Sequence, residues 1–213
     1  MEMEQSLRRT DSTTVRLAAI CGMMAPITLT SAIFIAGALR PGYNHVMQYI
    51  SALGEQGDTS AYVMNFGGFF LFGLLLMAFA FGFFHRIDLK ELSKMNSYVE
   101  TLTLMAPILI VFSAVGYMAA AFWTGIDATL HGVAGVFAMW VFSLPLITIF
   151  TFRNDRRWHN IWVLSLVIFI SQVIIGLTFK LSSSDMIGLA QRMGYVPTLV
   201  WVELVSIKLY RLA

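Results

Sequence analysis

The chain of 213 residues is 58% hydrophobic and only 12% charged, about half the charge of an ordinary soluble domain, so lipid is the expected solvent for much of it. A net charge of +2, with no basic face interleaved with aromatics, argues against a nucleic-acid partner. The single cysteine, Cys21, rules out an intrachain disulfide and a cysteine metal site. It reads as a small buried hydrophobe.

A polar N-terminal stretch of about twelve residues, expected to fray, leads into an apolar run over 17–39. Further runs follow at 62–84, 101–123, 129–151, 160–179 and 193–210. A helix crosses a bilayer with about 20 apolar residues, and these runs are too long for strands. The expectation is an all-α, polytopic membrane helix bundle of six transmembrane helices in one domain, 1–213. The sixth run is the weakest, because Glu203 and Lys208 lie inside it. No alternating ten-residue segments of a β-barrel appear. Small residues at helical spacing, Ala32 with Ala36 and Gly116 with Ala120, favour close helix packing. Pro26, Pro107, Pro145 and Pro197 fall within the runs and read first as packing features. The first run is too long for a signal core and lacks a cleavage site, so it reads as a retained helix.

Charge asymmetry sets the expected orientation. With a cytoplasmic N-terminus, Arg8, Arg9, Arg16, Arg86, Lys90, Lys94, Arg153, Arg156, Arg157, Lys208 and Arg211 face the cytoplasm, and only Arg40, Lys180 and Arg192 face outward. Both termini are then cytoplasmic, and the location is the cell (plasma or inner) membrane, multi-pass. Membrane lipids are the expected partners, and a homo-oligomer stays open.

The first outer loop opens on the turn signal Pro41-Gly42. Val46, Met47, Ile50 and Leu53 then follow at helical spacing, which predicts a short amphipathic helix ended by Gly54. Arg40, Tyr43, Asn44, Gln48 and Ser51 from this loop, with Gln191 and Arg192 before the sixth run, are candidate ligand-binding residues. Asp127 and His131 stand four apart on one helical face. Asp127 is suited to a helix cap. An ionisable His131 entering an apolar run is a functional candidate, and the pair fits an oriented general base. A shared metal would need a third ligand, for which only His45 lies on the same side. Glu203 either snorkels to the inner interface or faces a cavity. No Walker loop, nucleophile elbow or His-Glu-x-x-His appears. No internal repeat supports an inverted-repeat transporter, and the sequence leaves any cofactor unknown.

At Tyr43-Asn44, Tyr49-Ile50-Ser51-Ala52-Leu53-Gly54, Asp127-x-x-x-His131-Gly132 and Gly188-Leu189-x-Gln191-Arg192, the chain resembles the DUF998 family of six-helix bacterial and archaeal membrane proteins. The family commonly has Glu at the position of Ala52 and Glu-Arg at Gln191-Arg192. The Ile-Ser-x-Leu-Gly piece is also similar to the Frag1/DRAM/Sfk1 group, some of whose members act in lipid-anchor remodelling or membrane homeostasis. The resemblance implies a six-helix fold and a site on the outer side, and carries no reaction with it. Three readings of function remain. The first is binding or sensing of a lipid or small amphiphile in an outward-facing polar pocket. The second is a membrane-embedded lipid-modifying enzyme using Asp127 and His131. The third is a small-solute transporter.

Overall fold

The computed structural model describes residues 2–55, 58–87, 96–180 and 184–213, with side chains described from residue 12 onward except at 179, 180 and 184. Its helices are α1 (Glu2–Leu39), α2 (Thr59–His85), α3 (Ser97–Trp123), α4 (Ala128–Asn154), α5 (His159–Lys180) and α6 (Ile187–Leu212). No strand occurs among the described residues. Five stretches are long and apolar enough to cross a bilayer: Ser12–Leu39, Thr59–His85, Ser97–Trp123, Ala128–Asn154 and Arg156–Thr178. Such helices satisfy their own backbone polar groups in hydrocarbon, and the architecture is that of a multi-pass membrane protein. α6 has 26 residues, enough length, but its apolar surface is interrupted by Arg192, Glu203, Lys208 and Arg211.

Successive helices pack side by side, and α6 returns to α1, so the bundle is a closed ring. At one end, called terminal, the Ser12 hydroxyl donates to the carbonyl of Ala213 and the Arg16 guanidinium lies 5.9 Å from the Tyr210 ring centroid. Here Phe152 stacks on Trp158 at 4.8 Å, with Phe83 edge-on to both. The opposite, distal end carries residues 40–55, the start of α2 and the start of α6.

Small residues set the tightest approaches. A Cβ on Gly116 would lie 2.2 Å from the Ala138 backbone nitrogen, so α3 meets α4 backbone to backbone. Ala32 and Ala36 are buried, as their spacing predicts. Two helices depart from regular α geometry. Val63–Phe70 of α2 is a π-helix, wider by one residue per turn. In α4, Met139–Ser143 tightens to 3₁₀ just before Pro145, whose ring clashes with the carbonyl four residues earlier in an α-helix. Pro26, Pro107 and Pro197 sit inside their helices.

α1 runs from Glu2. One expectation is corrected: the amphipathic helix in the first loop does not form. Residues 45–47 are turns, and the only helix is the 3₁₀ segment Ser51–Gly54. Its apolar spacing is helical, but only Gln48 N–H makes an α-type bond, to Asn44 O at 2.9 Å, and side chains take several of the other backbone groups, as follows.

Candidate functional site

The distal loop is held from within and from α6. Asn44 Oδ1 accepts from the N–H groups of Val46 (2.9 Å) and Met47 (3.3 Å), and Gln48 Oε1 accepts from Asn44 N–H at 2.8 Å. Such local side-chain bonds compete directly with an α-helical ladder. Tyr43 donates its hydroxyl to Tyr49 O at 2.8 Å. Arg192 donates to the Tyr43 hydroxyl (2.6 Å), to Gln48 O (3.0 Å) and to Gly188 O (2.8 Å). Its guanidinium carbon also sits 5.7 Å from the Tyr43 ring centroid. Gln191 Oε1 accepts from Ile50 N–H at 2.6 Å.

The approach between loop and helix is close enough to require glycine. A Cβ on Gly188 would stand 2.3 Å from Gln48 O and 2.7 Å from His45 O. The first N–H groups of a helix lack partners within it. Here Leu189 N–H, in the first turn of α6, donates to Val46 O at 2.9 Å. Gly188, Gln191 and Arg192 thus act together as a clamp on residues 43–50. Charge-assisted bonds of this kind contribute about 1.5–3 kcal/mol each. Arg40 closes the other side of the loop, donating to Ala52 O and lying 3.6 Å from a Glu55 carboxylate oxygen. Ser51 opens the 3₁₀ segment.

His45 lies under the clamp, with its ring edge-on to Tyr43 at 5.0 Å and near Phe34. Its Nδ1 is buried without a hydrogen-bond partner. Burial, and then the neighbouring Arg192 cation, hold its pKa below the ordinary histidine value.

Asp127 and His131 are adjacent to this loop but do not bond to each other through their side chains. The Asp127 carboxylate caps α4, accepting from Thr129 N–H (2.8 Å) and Leu130 N–H (2.9 Å). His131 Nδ1 pairs with the Thr124 hydroxyl at 3.0 Å. That hydroxyl donates its one proton to Ala120 O at 2.6 Å, so toward the ring it accepts. His131 therefore carries its proton on Nδ1 and keeps a lone pair on Nε2. Thr124 also touches the loop: a Cβ on Gly54 would be 3.0 Å from its methyl. Among the described residues no three metal-ligating side chains come together.

Sequence reasoning passed over the residue at the centre of this contact, Asn65. It lies in the π-helical turn of α2, is only 8% exposed, and donates from Nδ2 to Gly54 O at 2.9 Å. Its Oδ1 has no partner. A lone amide inside the 62–84 run was the available signal, because polar groups at membrane depth are costly. Beside it a cavity of about 630 Å³ lies between the distal ends of α2 and α3. Asp58, Thr59, Asn65 and Thr124 give it a polar side, and Tyr62, Phe66 and Phe122 an aromatic one. Asp58 caps α2 through Ala61 N–H at 3.1 Å and accepts from the Ser60 hydroxyl. The Ser60 bond is the main cause holding its carboxyl below the ordinary range; burial opposes it, and the Ala61 bond and then the Arg40 charge add to the lowering. A second, more apolar cavity of about 430 Å³ lies between α4, α5 and α6, with Gln172, Gln191 and Tyr195 in its wall.

No curated protein and no solved structure matches the chain. The family model described as a protein of unknown function, DUF998, matches residues 23–208. That span holds α2 to α5 whole, residues 23–39 of α1, most of α6 and both halves of the clamp, and on it the chain belongs to the DUF998 family.

Proposed function

We propose that the protein is a six-span membrane protein that binds a lipid or small amphiphile in a pocket at its distal end. The observation that carries this reading is the cavity between α2 and α3. At about 630 Å³ it falls in the size range of small-molecule sites. Its polar and aromatic walls suit a molecule with a wet head and a greasy tail. Arg192, a candidate ligand-binding residue from sequence, is committed to Tyr43, Gln48 and Gly188. In this reading Arg40, Tyr43, Asn44, Gln48, Ser51, Gln191 and Arg192 shape the roof beside the pocket instead of holding the ligand.

The proposed topology places both termini in the cytoplasm of a plasma or inner membrane. Arg16, Arg86, Arg153, Arg156, Arg157, Lys208 and Arg211 supply the positive bias for that side. The two ends of the chain share one end of the bundle, as an even number of crossings requires. Labelling of single cysteines at residue 42 and at residue 155 in intact cells tests it. Outward access at both positions would refute it.

The binding test is native mass spectrometry of the protein purified in mild detergent. An amphiphile adduct is expected, and Ile126→Trp, which fills the cavity from an exposed wall position, should remove it. Absence of any adduct, or one indifferent to Ile126→Trp, would count against the reading. The local likeness of Ile50–Gly54 to the Frag1/DRAM/Sfk1 group agrees with a lipid-related role.

A second reading, a lipid-modifying enzyme, is favoured by the free lone pair of His131 Nε2. Its protein-side hydrogen bonds leave that nitrogen as a ready proton acceptor. Asp127 would then act by capping α4 and so positioning His131. Turnover of a lipid lost in His131→Ala and retained in Asp127→Asn would support it.

A further inference from the structure

We infer that the α2–α3 cavity selects amphiphiles with a cationic, hydrogen-bond-donating head, an ammonium, over anionic ones. This deepens the binding reading and rests on it. The cavity wall offers a head group acceptors more than donors. Asn65 has its donor nitrogen committed to Gly54 O, and its acceptor oxygen packs against Gly54, away from the cavity. The Thr124 proton is committed to Ala120 O. Asp58 brings two acceptor oxygens, and the bonds from the Ser60 hydroxyl and the Ala61 N–H both fall on Oδ1. Thr59 and Tyr62 add hydroxyls, which serve either role. Among the described residues, no lysine, arginine or histidine lines the cavity.

A head that donates can pair with the Asp58 carboxylate, and one that presents only acceptors, such as a phosphate dianion, cannot. Charge points the same way. Asp58 is the one ionisable wall group besides the phenol of Tyr62, and the Ser60 bond keeps it ionised. The nearest cation, Arg40, acts on Asp58 from outside the wall. It is already engaged by Ala52 O and Glu55, so the pair adds little net charge. The remaining wall consists of Tyr62, Phe66 and Phe122, with Phe66 edge-on to Phe122 at 6.1 Å. Aromatic faces beside an acidic group are the usual surroundings for an ammonium.

The test uses three probes with one dodecyl tail and different heads: dodecylammonium, dodecyl phosphate and the neutral dodecyl glycerol ether. Each competes for the purified protein in nanodiscs of neutral lipid, read by native mass spectrometry. Dodecylammonium should bind at least about tenfold more tightly than dodecyl phosphate. Asp58→Asn should bring the two within about twofold while the neutral ether still binds. Asparagine caps helices as well as aspartate does, so α2 should stay intact in that variant.

Equal or tighter binding of the phosphate would overturn the inference. So would a preference that survives Asp58→Asn. If the ether binds and Ile126→Trp displaces it while the charged heads are not discriminated, the pocket stands and only head selection falls. If no probe binds and Ile126→Trp changes nothing, the binding reading itself falls and takes this inference with it.

Discussion

The first three helices and the fifth are built from similar residues yet are packed very differently. Within the most apolar stretch of each helix, 56% of α3 is buried inside the protein against 11% of α5. The glycines mark the difference. In α1, α2 and α3, Gly22, Gly73 and Gly116 each face atoms that a Cβ would strike within 3 Å. Gly176 of α5 faces open space. Hydrophobicity drives both kinds of helix into lipid, and it does not separate protein-facing from lipid-facing surface. Small residues that let backbones approach do separate them. α5 instead leans on its two ring neighbours, α4 and α6, and presents Val167, Ile170, Ile174 and Leu177 outward.

The largest expected effect tests this directly. Gly116→Val drives a branched side chain into the α4 backbone, and overpacking of this kind costs about 1–3 kcal/mol or more. A large loss of monodisperse protein on size exclusion and a clear drop in Tm are expected. Gly176→Val should leave both nearly unchanged, and equal damage from the two would erase the contrast.

The next effect concerns the clamp. Arg192→Leu removes the bonds to Tyr43 and Gln48 and should destabilise docking of the loop by about 2–3 kcal/mol. Hydrogen exchange of the amides in residues 44–50 should then speed up by more than tenfold, with α3 unaffected. Gln191→Leu should have a smaller effect, about 1–3 kcal/mol, because it strands the Ile50 N–H. Gln191→Glu keeps an acceptor oxygen and should be tolerated. If Glu behaved like Leu, the role assigned to Oε1 would be wrong.

The smallest effect is one of pH. His45 is held below its ordinary value of 6.5 by burial and by Arg192, so the docked loop favours the neutral ring. The undocked loop binds more protons. Docking is therefore fully stable above about pH 6.5 and weakens as pH falls below that value. Exchange in residues 44–50 should rise on acidification, and His45→Phe should abolish that rise.

Much of the fold was legible in the sequence because the cost of placing charge in hydrocarbon leaves long uncharged runs. The five strongest runs correspond to helices, and Gly116 and Ala36 were readable from spacing. The loop was not, because apolar period alone does not report that Asn44 and Gln48 cap their own backbone. The clamp residues were found as a group through their motifs, yet their distance in sequence hid what they touch. Asp127 was readable as a cap. Thr124 carries no signal until the end of α3 brings it to Gly54, and the lone amide of Asn65, though visible in its apolar run, does not name Gly54 as its partner.

The ring of helices has a consequence for biogenesis. The ribosome releases α1 first and α6 last, and α6 is what closes the ring against α1. Until it arrives, Gly22 lacks the Ser206 side chain that covers it and residues 43–50 have no clamp. A nascent chain stalled before residue 187 would therefore display an unsealed seam to lipid and an undocked loop to quality-control proteases, and completion of the last helix is the step that hides both.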